Sequence, residues 1–175
     1  ISAGGIVGSA EYTSVESCSG GACVYSFSEN TAGVLGLANE CVTINRCNSD
    51  GVITADGEKN LTGGILGSSY SECYVLNNSF GGSVHSTSEK KSFCGGIAGS
   101  FSGVIENSFV NGGVYSALYF SEDTEQDEES EAVSAGIVAS YQSVKINNCY
   151  FSGISETNGD KGFDICPQSE GLEAD

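Results

Sequence analysis

The chain contains no methionine and no tryptophan, one proline, one histidine and only six basic residues among 175. Each shortage excludes something. With one Pro against 25 Gly, the glycines do not belong to a collagen-like or Pro/Gly-rich disordered composition. Six Lys and Arg against 23 Asp and Glu leave a net charge of −17, which repels nucleic acid and anionic membrane surfaces. No run of about 18 apolar residues exists, so no helix is expected to cross a bilayer. Apolar residues nowhere recur at helical spacing over three turns, so no helix is expected at all. With His85 as the sole histidine and Cys18 and Cys23 as the nearest approach to a Cys-x-x-Cys pair, zinc is not expected. The first residue is Ile1 and no signal-peptide pattern follows it, which suggests a processed chain or a segment of a longer one.

What is present is a recurring glycine phrase. It reads Gly4-Gly5-Ile6-Val7-Gly8, Ala32-Gly33-Val34-Leu35-Gly36, Gly63-Gly64-Ile65-Leu66-Gly67, Gly95-Gly96-Ile97-Ala98-Gly99 and Ala135-Gly136-Ile137-Val138-Ala139. From Gly5 through Gly33, Gly64 and Gly96 to Gly136 the spacings are 28, 31, 32 and 40 residues. Each copy is followed by an Ile/Leu/Val-x-Asn-Cys/Ser phrase and then by Gly-x-Val or Gly-Val. Three short β-prone phrases joined by polar corners make one coil of a solenoid, and a coil cannot bury its axial faces without neighbours. The expected fold is therefore all-β: a single-domain parallel β-solenoid, right-handed and β-helix-like, with about five coils of three short strands and disulfide staples. The solenoid is expected over residues 1–154, with an acidic insertion at 121–132 that stretches the last period. Residues 155–175 are expected to form a tail and partial cap held by Cys166.

Stacked coils place equivalent side chains in columns. One interior row is predicted from Ile6, Val34, Ile65, Ile97 and Ile137, a second from Val15, Ile44, Leu76, Ile105 and Ile146, and a third from Val52, Val84, Val114 and Ile154. Phe80, Phe101, Phe109, Tyr70, Tyr141 and Tyr150 are expected in the core as stacked rings rather than in an exposed sugar-binding strip. Asn45, Asn107 and Asn147 are expected to form an amide ladder.

The pattern resembles the GLUG repeat of secreted surface proteins, carried here by Gly64-Ile65-Leu66-Gly67 and Ile146-Asn147-Asn148-Cys149-Tyr150 and covering about Gly4 to Ile154. The resemblance implies a β-helix-like solenoid in cell-surface or adhesin-type proteins, often beside a separate catalytic domain. It implies no catalytic residues. The first repeat is shorter than the pattern, and Ala139 stands in place of its final Gly.

Eight cysteines in a chain with few other reactive groups favour disulfides and an oxidising, extracellular compartment. The column alignment predicts Cys18–Cys47 and Cys41–Cys73 as bridges between adjacent coils, with Ser79 and Ser108 replacing Cys in the next two. Cys149–Cys166 and, by remainder, Cys23–Cys94 complete the expected set. Asn60 and Asn77 stand in glycosylation sequons. The insertion carries Glu122, Asp123, Glu125, Asp127, Glu128 and Glu129, a solvated loop or a weak Ca²⁺ site. Enzymatic activity is not expected: Asp50 and Asp56 precede Gly in turns, His85 lacks a partner at predictable spacing, and nothing singles out a pair such as Glu72 and Glu106. The expected role is an extracellular structural or adhesive module that associates with itself or with neighbouring repeats, stacking into a filament or coat. A glycan- or protein-binding module is the alternative, and a polysaccharide-cleaving β-helix the least favoured.

Overall fold

A computed structural model describes residues 1–21, 23–119 and 130–167. The chain is all-β and forms the parallel solenoid that its repeats predict: five stacked rungs, about four full turns, with no helix among the described residues. Each coil leaves its marker glycine along a leading face, turns through a two-residue short face and comes back along a return face to the next marker. In the third coil these are Leu66–Ser69 with Cys73–Leu76, then Ser79–Phe80, then Ser83–Gly95. The corresponding strands of other coils pair in parallel, so three ladders run along the axis.

Register places Gly4, Ala32, Gly63, Gly95 and Ala135 in one column, and the marker glycines in the next. Glycine is required at the markers by two approaches at once. A Cβ on Gly64 would collide with the carbonyl of Gly96 in the coil above and with the Phe80 ring across the core. Gly33 faces Ser49, Gly96 faces Val110 and Gly136 faces Phe151 in the same way. The marker corner thus lies against the short face, and the interior is narrowest there.

The first interior row is as expected, with Val34, Ile65, Ile97 and Ile137 fully buried, except that Ile6 in the end coil is 40% exposed. The second row takes Val75 instead of Leu76, because Val75 registers with Ile44 and Ile105. The third row is Val24, Ile53, Val84 and Val114; Val52 and Ile154 lie one residue out of phase and point outward. In a strand of period two, a one-residue error in register moves the side chain to the other face. Phe80 and Phe101 are buried, whereas Tyr70, Phe109 and Tyr150 are exposed, so the rings do not share one location.

The return face folds back on itself as an arch. Ser86 and Ser92 meet across it at 2.7 Å, and Ser92 meets Ser116 of the next coil at 2.7 Å. Ser134, Ser155 and Thr157 continue the contact. The buried interior therefore has an apolar lobe and a hydroxyl-lined lobe. Buried hydroxyls cost stability unless bonded, and this zipper bonds Ser86, Ser92, Ser116, Ser134 and Ser155, whereas the Thr62 and Ser88 hydroxyls are buried without a protein partner. The acidic insertion leaves at the tip of the arch, between Leu118, which registers with Ser88, and Glu131, which registers with Lys91.

The solenoid continues past residue 154. Ile154–Thr157 is the last return strand, and it pairs antiparallel with Asp160–Lys161 through Asn158-Gly159, both at positive φ (50° and 85°). Phe163 and Ile165 then bond Gly136, Ile137 and Val138 as Ala135 and Ile137 bond the coil below. The tail is thus the start of a sixth rung, held by backbone hydrogen bonds.

Replacing Gly64 with Ala should destabilise the protein by about 3 kcal/mol, the upper range for overpacking, because backbone and a buried ring both block the methyl group. Gly21→Ala, where a Cβ meets nothing within 4 Å, should leave stability within about 0.5 kcal/mol. Urea unfolding of both variants measures the contrast.

Candidate functional site

The corner between the leading and short faces gathers most of the residues that the sequence singles out. Its first column, Ser17, Arg46, Asn77, Asn107 and Asn148, is left-handed throughout, with φ between 48° and 58°. Each backbone N–H from Ser17 to Asn107 donates to the carbonyl of the coil above, so the turn stays within the ladder. Asn tolerates this conformation better than most residues. The amide ladder forms here: Asn148 donates to Asn107 at 2.7 Å, Asn107 to Asn77 at 3.3 Å and Asn77 to Asn45 at 2.9 Å. Asn147 is not a rung of it; it shares a column with Glu106 and donates to its carboxylate at 2.8 Å.

The next column points inward and runs Cys18, Cys47, Asn78, Ser108 and Cys149. Asn78, not Ser79, stands in the thiol position of the third coil. Its amide accepts from the Cys47 N–H at 2.8 Å and donates to the Ile44 carbonyl at 3.0 Å. All eight cysteines are free thiols, so the expected staples are not formed in the structure. Cys18 and Cys47 are in register in adjacent coils, with the Asn48 N–H bonded to the Cys18 carbonyl at 2.8 Å. Cys41 and Cys73 are not brought together in phase: Cys73 is level with Val42, so Cys73 is buried while Cys41 is exposed at a turn. Cys23 is exposed beside Val24, whereas Cys94 is buried two coils away in the column of Thr31 and Thr62, so the two are not brought together. Cys149 and Cys166 both pack against the apolar core, from the last coil and from the tail. Burial raises the pKa of Cys47, Cys73, Cys94, Cys149 and Cys166, which disfavours their thiolate forms.

The remaining candidates separate. Asn60 is completely buried, and its side-chain NH₂ donates to the Ala55 and Thr87 carbonyls, so this sequon is closed to a glycan once the coil forms. Asn77 is exposed on the corner. Glu122, Asp123, Glu125, Asp127, Glu128 and Glu129, the proposed Ca²⁺ ligands, lie outside the described residues. Among the described residues no three His, Cys, Asp or Glu side chains converge on a metal position. Glu72 accepts from the Tyr74 hydroxyl at 3.1 Å, and Glu106 is level with Leu76, four residues along. That offset is ~13 Å, more than the ~5–9.5 Å of paired glycosidase carboxylates.

His85 and Tyr115 stack on the outer return face with ring centroids 4.7 Å apart and planes 11° apart. Phe109 and Tyr150 stack similarly on the short face at 5.4 Å and 6°. In both pairs adjacent coils turn ring faces toward each other, leaving ring edges outward. Burial lowers the His85 pKa, and its Nε2 lies 3.2 Å from the Ser83 hydroxyl. The hydroxyl zipper and the left-handed column were missed in the sequence. The signal for the first was Ser86, Ser88 and Ser92 set between outward residues along 84–94. No protein-family model, curated protein or solved structure matches the chain.

Asn107→Ala should cost about 1–2 kcal/mol by placing a Cβ-bearing aliphatic residue in the left-handed corner and cutting the ladder. Asn107→Gly should recover the backbone share, measured by urea unfolding. As the only histidine, His85 gives one imidazole signal in an NMR titration. Its midpoint should lie below ~6.5, and Tyr115→Ala should move it up toward that value by opening the ring to water.

Proposed function

We propose that this protein is a structural, adhesive module of an extracellular or cell-surface assembly, a β-solenoid of the GLUG-repeat kind. The observation that carries this reading is that three parallel ladders run through the coils, with the register shifting only at Gly57/Lys59 and at Phe101/Ser102 among the described residues. Because each interior coil bonds to two neighbours along the axis, the rod resists bending and local unfolding, as a spacer or coat subunit requires. The net charge of −17 keeps such rods apart laterally. Among the described residues, the strands Ser2–Gly4, Val7–Ala10, Ser14–Glu16, Ser19–Gly20 and Val24–Ser26 are paired on one side only. These edges are the surface on which a further coil stacks, from an adjoining repeat of the same polypeptide or from a second molecule. The exposed Asn77 is the residue suited to carry a glycan, and the acidic insertion is suited to draw Ca²⁺ between neighbouring rods.

A second reading, a glycan-binding module, draws on one observation. A depression of about 440 Å³ winds round the corner from the short to the return face, over Gly81, Gly82, Asn111, Gly113, Tyr115 and Ile154. Its floor is backbone, and Asn111 and the Tyr115 hydroxyl supply polar contacts for sugar hydroxyls. The edge-on rings argue against the face-on stacking such sites use.

Negative-stain microscopy and sedimentation, with and without millimolar Ca²⁺, distinguish the two. Rods one solenoid wide that lengthen with protein concentration are expected. A chain that stays monomeric throughout, yet shifts the Asn111 and Tyr115 NMR signals on adding neutral oligosaccharides, would replace the first reading with the second.

A further inference from the structure

The interior thiol column begins with two cysteines in adjacent coils. Ser19 registers with Asn48 and Gly20 with Ser49, so Cys18 and Cys47 occupy the same place one rung apart. Directly registered residues of neighbouring strands lie ~4.8 Å apart, inside the ~4.4–6.8 Å Cα window of a disulfide. Both side chains face the core from the same side of the ladder: Cys47 is buried and Cys18, in the end coil, is half-buried. The Cys47 thiol donates to the Val15 carbonyl at 3.4 Å, in the coil that carries Cys18. Higher in the column Asn78 and Ser108 replace sulfur, so Cys149 has no in-register thiol beside it.

We propose that Cys18 and Cys47 are a redox pair whose disulfide locks the first coil onto the second. Among the described residues the first-coil strands pair with the second coil alone, and Ile6 is 40% exposed where the other members of its row are fully buried, so a covalent tie there reinforces a coil with fewer contacts than those above it. The oxidant is a disulfide, of low molecular weight or on another protein. The Cys18 thiolate attacks one of its sulfurs and expels one thiolate. The Cys47 thiolate then attacks Cys18 Sγ and expels the second. Two protein thiols are oxidised, one disulfide is reduced to two thiols, and the protons pass through solvent. Cys18 reacts first because it is the more accessible of the two. The inference concerns the contact between the first two coils, and the in-register thiols lie at that contact whether or not a further coil stacks on the first.

The test uses the whole chain carrying Cys23→Ser, reduced and then incubated with oxidised glutathione. Cleavage after Glu16, Glu29, Glu40 and Arg46 puts Cys18, Cys41 and Cys47 on separate peptides. Non-reducing mass spectrometry should find the Cys18 and Cys47 peptides joined and lighter by two hydrogens. The melting temperature should rise by roughly 6–12 °C over the reduced form, the effect expected of closing a loop of this length. Adding Cys18→Ser should leave the reduced melting temperature nearly unchanged and abolish the rise. Adding Cys41→Ser instead should leave the rise intact. The proposal fails if glutathione stays on Cys18 while Cys47 remains a thiol, if Cys18 joins Cys41 instead, or if the joined form melts no higher than the reduced one.

Discussion

Each coil lies flat on the backbone of the next, and the ~4.8 Å separation of parallel rungs governs what every residue can be. At that spacing a side chain has a copy of its own position above and below it, so the choice at one position is constrained by its column. Where backbone approaches backbone and a ring also intrudes, only glycine fits, as Gly64 shows between Gly96 and Phe80. Where the corner needs positive φ, five successive coils supply it with Ser17, Arg46, Asn77, Asn107 and Asn148. The amides among them bond along the axis, in the same direction as the backbone ladder. The same spacing turns two cysteines into neighbours and leaves a third, Cys149, beside a serine.

The interior is divided in a way that a single hydrophobic core would not be. Around the marker corner, short face and leading face it is apolar, and within the return arch it is hydroxyl. Serine suits the arch because two strands of one chain approach closely there and a small side chain with one rotatable hydroxyl bridges them. Gly162 marks where this lobe ends: any side chain there would collide with the Ser134 and Ser155 hydroxyls. The last coil is overlaid by the Asn158-Gly159 hairpin and by the Phe163–Ile165 rung.

Much of the fold was legible in the repeats. The marker glycines are in register, the β-only architecture and parallel stacking follow from them, and Ile65, Ile97 and Ile137 share a column. Errors arose where two coils differ by one residue between matching phrases. Leu76 matches Ile44 by type, yet Val75 matches it in space, and Asn78 consequently displaces Ser79 from the thiol column. Asn60 illustrates a different limit: a sequon is a local pattern, and its burial under the arch is a property of the coil. His85 had no partner by spacing, because its partner Tyr115 is thirty residues on and one rung above.

The sequence alone determined the class of architecture, because a glycine phrase repeated at nearly constant spacing has no stable arrangement except with its copies stacked. It also determined the charge of the surface and the number of thiols. Only the tertiary structure decided phase: which residue of each phrase faces inward, which cysteines lie level, and which asparagine is buried. The physical reason is that side-chain direction alternates with every residue, while the repeat pattern tolerates a shift of one. Parallel hydrogen bonds between coils remove that freedom, and they exist only when the coils are stacked.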